Sequence, residues 1–298
     1  MSLREFSVLF LVCLLWGLHF IVMKVTIGGV ADPLFYAAIR MSIVALILLP
    51  KLKWHKGMMW PIFGAGLGYG ALNYAFMFPA LGLTTASAAA ITIELYVPFS
   101  ILLSVLVFKD KIGIYKVLGI LLAFAGVIII AAAKPHETAG PYFLLGILLM
   151  VGAAMSEAVG AVLVKFVKSV GPLQLLAWFA VIGAAVLWPL SFFLEDNQLE
   201  AFAPGNRKTF ALALAYSALL VSIVAHGSYY WLLQRLPIYI VSSTGLMTTV
   251  IAVIASAAIL GENLTPNLLI GGLVTLGGIA LILARNNRAS QKTPKPSS

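Results

Sequence analysis

The sequence has few charged residues for its length. Of 298 residues, 19 are Lys or Arg and 10 are Asp or Glu, so 10% of the chain is charged, whereas a soluble globular domain has about 25%. Hydrophobic residues make up 62% of the chain, and the mean hydropathy is +1.05. This composition excludes a soluble enzyme, a disordered protein and a collagen-like protein, because too few charges remain to cover a water-exposed surface. It indicates a protein that crosses a membrane several times.

Several chemical groups and motifs are also scarce or missing. The single cysteine, Cys13, cannot form an intramolecular disulfide and is expected to be a small packing residue. No Walker-type nucleotide motif, Gly-x-Ser-x-Gly or His-Glu-x-x-His occurs in the chain. The three aspartates, Asp32, Asp110 and Asp196, fall at predicted helix ends or in loops. We therefore expect no enzymatic activity, no catalytic residues, no metal and no cofactor, and no direct use of ATP.

The apolar segments are long runs and not ten-residue alternating strands, which favours membrane-spanning helices over a barrel. Polar residues, glycines and prolines divide the chain into ten such segments. The first one resembles a signal peptide but lacks a cleavage site and continues past Val22, so it is predicted to be a retained helix. The predicted spans are 5–27, 34–50, 60–81, 84–108, 112–133, 140–166, 172–194, 209–235, 238–260 and 267–284.

The distribution of Lys and Arg predicts the orientation of these spans. With the N-terminus in the cytoplasm, fourteen Lys and Arg residues fall on the inner side and four on the outer side, while Arg40 lies inside a span. The net charge of +9 is therefore interpreted as a signal of orientation, and we expect no nucleic acid as a partner. The polar tail 285–298 is predicted to be disordered and cytoplasmic. These features predict a multi-pass protein of the bacterial inner (plasma) membrane with both termini in the cytoplasm.

The two halves of the chain resemble each other. Lys24 and Lys165 occupy matching positions 141 residues apart, and Asp110 and Glu262 match at an offset of 152, as do Gly119 and Gly271. Each half holds five predicted spans, and an odd number of spans forces the second copy to insert upside down. We predict an all-α membrane protein with ten transmembrane helices in two inverted five-helix repeats, 1–134 and 140–284. Such repeats are typical of transporters with a substrate site near the bilayer midplane.

The chain resembles the drug/metabolite transporter superfamily, specifically its EamA-type ten-helix exporters, and is most similar to the YddG-type exporters of aromatic amino acids. The resemblance covers nearly the whole chain. The segments that carry it are Trp16-Gly17, the run 83–90, Pro98, Phe108-Lys109-Asp110, Gly119 with Gly126, Ser242-Ser243, Leu260-Gly261-Glu262 and Gly271 with Gly278. The resemblance implies export of amino acids by alternating access, and it specifies the fold more strongly than the substrate.

Ionisable and polar residues lie deep inside several predicted spans, where a charge is costly unless it faces the protein interior or a wet cavity. Together with nearby aromatic residues, they could line a small-molecule site. Glu94 or Glu157 could hold a substrate ammonium group, and Arg40 could hold a carboxylate. The predicted substrate-binding residues are Trp16, His19, Arg40, Asn73, Tyr74, Met77, Glu94, Trp178, His226 and Tyr230. Pro79 and Pro98 are predicted hinges, since a proline inside a helix removes a backbone hydrogen bond.

Each of these predictions has a structural alternative. Glu94 and Arg40 could form a buried ion pair that fixes helix register. His19 and His226 could be packing residues, Trp16 could mark the membrane interface, and the prolines could produce static bends. Lys24 and Lys165 are expected to extend toward the interface. Paired small residues, such as Gly64 with Gly68 and Gly66 with Gly70, are assigned to helix packing.

The leading hypothesis is a secondary transporter that exports aromatic or large neutral amino acids. Its expected partners are this small-molecule substrate and membrane lipids, and the chain could act as a monomer. The alternative is an exporter of another small metabolite or drug, such as a nucleoside, a sugar or a cationic compound. Proton coupling and facilitated diffusion both remain open, and a channel is disfavoured because no filter or charged ring is evident.

Overall fold

The computed structural model describes residues 2–110, 112–133, 140–236, 240–241 and 243–292, and the side chains of these residues except Tyr230 and 285–292. All regular secondary structure in these ranges is helical. The α-helices are α1 (Leu3–Ile27), α2 (Pro33–Leu48), α3 (Met59–Gly66), α4 (Asn73–Leu83), α5 (Ala86–Thr92), α6 (Tyr96–Phe108), α7 (Ile114–Ala131), α8 (Phe143–Val164), α9 (Pro172–Leu194), α10 (Arg207–Ala215), α11 (His226–Leu233), α12 (Thr244–Leu260) and α13 (Pro266–Lys292).

Three long segments combine several of these elements. A π-helical stretch, Leu67–Leu72, joins α3 to α4, and a second one, Tyr216–Ala225, joins α10 to α11. A 3₁₀ turn, Ile93–Leu95, joins α5 to α6. Two further 3₁₀ turns, Leu49–Lys51 and Gln198–Phe202, lie between the long segments.

Eight helical segments in the described part of the chain are long and apolar enough to cross a membrane. A shorter apolar helix, α12, and the segment 59–83 lie at two further predicted spans. The chain is therefore an all-helical membrane protein, while the total of ten spans remains a prediction. The last helix, α13, continues to Lys292, and the disorder of the tail 285–298 stays a prediction. Residues 293–298 lie outside the described residues.

Capping residues start the helices where the sequence changes from polar to apolar. Ser2 and Glu5 form a reciprocal capping box at the start of α1. Pro33 and Pro172 occupy the first positions of α2 and α9, where a missing amide hydrogen costs nothing. At the other end of α12, Gly261 adopts a φ of +66°, which closes the helix in a conformation that favours glycine.

Glycines bring the helices together, because lipid provides no hydrophobic drive for their association. A methyl group added to Gly119 on α7 would lie 2.6 Å from the carbonyl oxygen of Gly278 on α13. A methyl group added to Gly271 would lie 2.5 Å from the carbonyl oxygen of Gly126. As α7 advances from Gly119 to Gly126, its partner recedes from Gly278 to Gly271. The two helices therefore cross in antiparallel directions.

The segment 59–83 uses its glycines on two faces. Gly64 and Gly68 face α8, and Gly66 and Gly70 face α9. Gly68 and Gly70 lie against backbone atoms and lack room for a side chain, whereas Gly64 and Gly66 contact the side chains of Leu163 and Ile182. The predicted packing role is confirmed. The principal helix pairs are α2 with α9, α4 with α8, α1 with α12 and α7 with α13. Each pair joins one half of the sequence to the other.

Candidate functional site

The polar residues predicted to lie deep in the spans are buried within the helix bundle. Arg40 is 1% exposed, Glu94 5%, and His19 and Asn73 are each 6% exposed. Since these side chains do not face outward, they form an interior polar region of the kind expected for a transport site. They fall into two groups, which we call the acidic cluster and the Arg40 cluster.

The acidic cluster consists of Asn73, Glu94, Glu157 and Thr249. Thr249 on α12 donates a hydrogen bond of 3.0 Å to Glu94, and the Asn73 amide donates one of 3.3 Å to Glu157 on α8. The same amide nitrogen also donates to the carbonyl of Ala153 at 3.1 Å. The two carboxyl groups are close enough to interact electrostatically. Both of these side-chain donors are uncharged.

A glycine and a tight helical turn allow α12 to approach the Glu94 carboxyl group. A methyl group added to Gly245 would lie 3.0 Å from a Glu94 carboxylate oxygen, so the missing side chain lets α12 pass beside the carboxyl group. Glu94 lies in the 3₁₀ turn Ile93–Leu95, four residues before Pro98. Because Pro98 cannot donate to the Glu94 carbonyl, the helix tightens at this point.

The Arg40 cluster consists of Trp16, His19, Arg40, Tyr74 and His226. The guanidinium carbon lies 4.9 Å from the centre of the Tyr74 ring, within the range of a cation–π contact. One terminal nitrogen of Arg40 donates to Ser222 at 3.1 Å. Its Nε and Nη1 atoms have no hydrogen-bond partner among the described residues. A buried guanidinium with two unpartnered nitrogen atoms is well suited to receive a carboxylate.

Aromatic rings complete this cluster. Trp16 packs edge-on against His226 with 5.2 Å between ring centres, and it lies 5.2 Å from Tyr229. His226 Nδ1 lies 2.8 Å from the Val221 carbonyl oxygen, which can only accept, so Nδ1 carries a proton. Trp16 Nε1 and His19 Nε2 are buried with no partner in the described ranges.

A chain of contacts connects the two clusters. Arg40 interacts electrostatically with His226, which packs on Trp16, and Trp16 packs on Tyr229. Tyr96 is in electrostatic range of Tyr229 and of both carboxyl groups of the acidic cluster. The interior therefore carries a basic group and an acidic pair separated by aromatic rings.

The π-helical stretches explain how two of these residues reach the interior. Asn73 directly follows the first stretch and His226 directly follows the second, and the two residues are 153 positions apart. Their partners, Trp16 and Glu157, are 141 apart, the offset that relates Lys24 to Lys165. A π-helical turn shifts the face that a helix presents, and such turns are frequent at functional sites.

Several predicted site residues have other positions. Trp178 does not join either cluster, because its ring packs on Trp54 and Phe63 and its Nε1 donates to the Lys53 carbonyl at 3.0 Å. It fills an aromatic cluster near the start of α9, and burying a ring with its N–H satisfied is a sufficient role. Met77 is buried in the main apolar core. The side chain of Tyr230 lies outside the described residues.

The predicted hinges and the predicted ion pair have the following outcomes. Pro79 lies inside α4, which remains α-helical through it, and Pro98 lies near the start of α6. Neither position tests whether the helix bends during function. Arg40 and Glu94 bind Ser222 and Thr249 respectively, so the alternative of an Arg40–Glu94 ion pair is wrong.

Sequence reasoning missed Thr249, Ser222 and Tyr229. Tyr229 follows His226 by three residues, and this spacing places both on one face of α11. The same rule would have preferred Tyr229 to Tyr230. Thr249 and Ser222 carry no distinctive local signal, because a hydroxyl in an apolar helix often bonds only its own backbone.

A bundle of apolar helices around a buried polar interior defines a polytopic membrane protein with the features of a solute carrier. The EamA-like transporter family model matches residues 4–132 and 144–284, and the chain belongs to this family.

Two similar proteins carry the name "Probable amino-acid metabolite efflux pump". The one from Salmonella typhimurium is 27% identical over 287 residues, covering 94% of each chain. The one from Escherichia coli is 26% identical over 286 residues, again with 94% coverage of each chain. A solved crystal structure of a protein, 17% identical, aligns with a TM-score of 0.62 over 98% of this chain and 100% of that chain. This last likeness supports the fold alone.

Proposed function

We propose that this protein is a secondary transporter that exports amino acids, aromatic or large neutral ones, by alternating access around the interior polar region. The observation that carries the proposal is the buried Arg40 guanidinium, whose Nε and Nη1 atoms have no partner among the described residues. It lies in the same interior as two carboxyl groups without a cationic partner among those residues. An amino acid has a carboxylate for the first group and an ammonium for the second. The aromatic rings between them provide an apolar surface for its side chain.

Alternating access requires two halves that can rock against each other. We propose ten membrane spans in two inverted repeats, 1–134 and 140–284. The family model matches the chain twice in succession, and the antiparallel contact of Gly119 with Gly278 and of Gly126 with Gly271 agrees with a two-fold axis. The Lys and Arg distribution favours an inner-membrane protein with both termini in the cytoplasm.

One other substrate class fits part of the site. A cationic metabolite or drug would bind the two carboxyl groups and leave Arg40 without a partner. This alternative predicts that Arg40 contributes little to transport, whereas an amino-acid substrate requires it. The two candidates therefore differ in a single measurable residue effect.

The test is counterflow of labelled phenylalanine into proteoliposomes, with two competitors that each lack one charged group. Phenethylamine lacks the carboxylate, and 3-phenylpropionate lacks the ammonium. In Arg40→Gln, phenylalanine transport should fall about 10- to 100-fold, the worth of a charge-assisted hydrogen bond or two. Competition by phenethylamine should change little in this variant.

The Glu94→Gln variant should show the complementary pattern. Competition by phenethylamine should weaken, while competition by 3-phenylpropionate should persist. Arg207→Gln and Glu200→Gln, which alter exposed residues, are the matched controls. If Arg40→Gln transports phenylalanine at the wild-type rate, a cationic substrate is favoured. If the wild-type protein shows no saturable counterflow of any amino acid, the proposed function is rejected.

A further inference from the structure

A cleft of about 350 Å³ lies at the end of α6 and α8, beside the start of α7. Ligand sites range from about 300 to 1,000 Å³, so this cleft suits a small metabolite. Its polar lining residues are Ser100, Ser104, Asp110, Lys116 and Lys165, of which Asp110 and Lys165 are exposed. The lining contains no residue of the acidic cluster or the Arg40 cluster, so within the described structure the cleft is a separate site.

The acidic and basic groups of the cleft are held apart by a hydroxyl group. Ser104 donates to the Asp110 carboxylate at 2.6 Å, and Lys165 donates to Ser104 at 3.2 Å. Among the described residues, Asp110 and Lys165 form no direct ion pair, and the Lys116 ammonium group has no hydrogen-bond partner. Opposite charges that do not contact each other can bind the two ends of a zwitterion. The apolar part of the lining is Ile101, Val105 and Ile112.

A line of polar residues connects this cleft with the acidic cluster. At the inner end of the line, Tyr96 on α6 is in electrostatic range of Glu157 on α8. Eight positions later on both segments, Ser104 accepts from Lys165. The two helices therefore run side by side in the same direction, from the acidic cluster to the cleft.

Ser100 lies between these two contacts. It follows Tyr96 by four residues and precedes Ser104 by four, a spacing that places all three on one face of α6. Ser100 lines the cleft, and its buried hydroxyl has no hydrogen-bond partner in the described part of the structure. A buried hydroxyl without a partner indicates a place for water or for a polar group of a ligand.

From this arrangement we infer that the cleft is a second substrate site, which binds a zwitterionic amino acid before it reaches the interior polar region. The substrate ammonium binds Asp110, and the substrate carboxylate binds Lys116 and Lys165. Ser100 and Tyr96 mark the way from this site to the acidic cluster. The inference rests on the proposed function, because only a carrier of amino acids passes such a substrate inward.

The position of the cleft agrees with export. The Lys and Arg distribution favours the cytoplasm for this end of the bundle, and an exporter takes its substrate from the cytoplasm. A phosphoethanolamine head group of a phospholipid carries the same two charges, but a lipid has no use for a polar line into the interior. Glycerophosphoethanolamine, the soluble form of this head group, is therefore the competitor that distinguishes the two ligands.

The experiment measures how well a ligand protects a cysteine in the cleft from a hydrophilic maleimide. Val105→Cys is the reporter, because Val105 lines the cleft with an aliphatic side chain. It is combined with Cys13→Ser, which removes the buried native thiol, and with Arg40→Gln, which impairs the interior site. The readout is the ligand concentration that halves the initial labelling rate of the purified protein in detergent. Ile101→Cys is the second reporter and replaces the first if that variant does not fold.

L-Phenylalanine should protect the reporter in a saturable manner. Asp110→Asn and Lys116→Gln should each raise the half-protecting concentration about two- to fivefold, since each removes one ion pair in a partly exposed place. Lys168→Gln is the matched control, because Lys168 is an exposed cation that does not line the cleft. It should leave the half-protecting concentration unchanged.

Any of three results would overturn the inference. Phenylalanine protects neither reporter, or Asp110→Asn or Lys116→Gln behaves like Lys168→Gln, or glycerophosphoethanolamine protects at a lower concentration than phenylalanine does. Counterflow of phenylalanine by the wild-type protein is measured in parallel. If counterflow is saturable while the inference fails, the proposed function stands without a second substrate site.

Discussion

Two contacts at matching positions of the two halves have opposite chemistry. In the first half, the helix after the π-helical stretch brings Asn73 to Glu157. In the second half, the corresponding helix brings His226 to Trp16. A π-helical stretch precedes both residues, but one contact presents a carboxyl group and the other presents aromatic rings.

Under the proposed function, this difference would let a repeated fold recognise an asymmetric solute. Two equal halves would offer the same groups twice, whereas an amino acid carries different groups at its two ends. The acidic cluster lies with Glu157, and the Arg40 cluster lies with Trp16. In the proposed inverted repeat, the shared backbone would provide the geometry, and divergence of the side chains would provide the chemical polarity.

The prediction with the largest expected effect compares how tightly the helix of Asn73 and the helix of His226 are packed. Gly68 precedes Asn73, and a methyl group there would lie 2.6 Å from the Ser156 carbonyl oxygen and 2.8 Å from the Gly160 amide nitrogen. Gly227 follows His226 and has open space around it. Gly68→Ala should destabilise the protein by about 1–3 kcal/mol, as overpacking does.

Gly227→Ala is the matched control for this comparison. It should be neutral or stabilising by up to about 1 kcal/mol, because alanine favours a helix more than glycine does. Thermal unfolding in detergent measures both variants. Equal effects of the two substitutions would mean that the first helix is not held more tightly than the second.

The second prediction removes the charge from the acidic contact. Glu157→Gln keeps an oxygen that can accept from Asn73 but cannot attract an ammonium. Phenylalanine transport, measured as initial counterflow, should fall about 10- to 100-fold. Unfolding temperature should change little, because the carboxyl group has no cationic partner among the described residues. A variant with normal flux would place the ammonium site elsewhere.

The sequence predicted the interior residues better than their partners. A charged or polar side chain at depth is a local signal, so Arg40, Glu94 and Asn73 could be identified from position alone. Their partners lie far along the chain, as Thr249 does from Glu94, and no local pattern encodes such a distance. Trp178 was misplaced for a related reason, since an isolated ring in a helix does not reveal whether its neighbours are polar or aromatic.

Irregular helical turns also limited what could be predicted from the sequence. The π-helical stretches before Asn73 and His226 change the face that each helix presents, and a regular period of 3.6 residues does not predict them. The glycine pairs were predicted correctly because close packing in a membrane requires small residues.

The third prediction tests the aromatic contact and should be smaller. Trp16→Leu keeps an apolar side chain but loses the ring that packs on His226 and Tyr229. An aromatic pair is worth about 0.5–1.5 kcal/mol beyond its area. The preference for phenylalanine over alanine in competition assays should therefore fall about two- to tenfold. Leu15→Met, a substitution of a buried core residue, is a suitable control and should leave the preference unchanged.

The prediction with the smallest expected effect concerns a carboxyl group remote from the Asn73–Glu157 and His226–Trp16 contacts. Glu195, just after α9, accepts from the Leu34 and Phe35 amides at 2.6 and 2.8 Å. Burial raises the pKa of Glu195 above its usual value of 4.5, and this outweighs the lowering by the Leu34 hydrogen bond. A carboxyl group with a higher pKa in the folded state binds its proton more tightly there.

Folding of the wild type should thus become less favourable as the pH rises from about 4.5 through the raised pKa of Glu195. Below that window the full contribution is present, and above it the contribution is lost. In Glu195→Gln this pH dependence should disappear, so the unfolding temperature of the wild type relative to the variant should decline across the window. A difference between the two proteins that stays constant from pH 4 to 8, or grows with pH, would mean that the amide hydrogen bonds from Leu34 and Phe35 dominate over burial at this helix start.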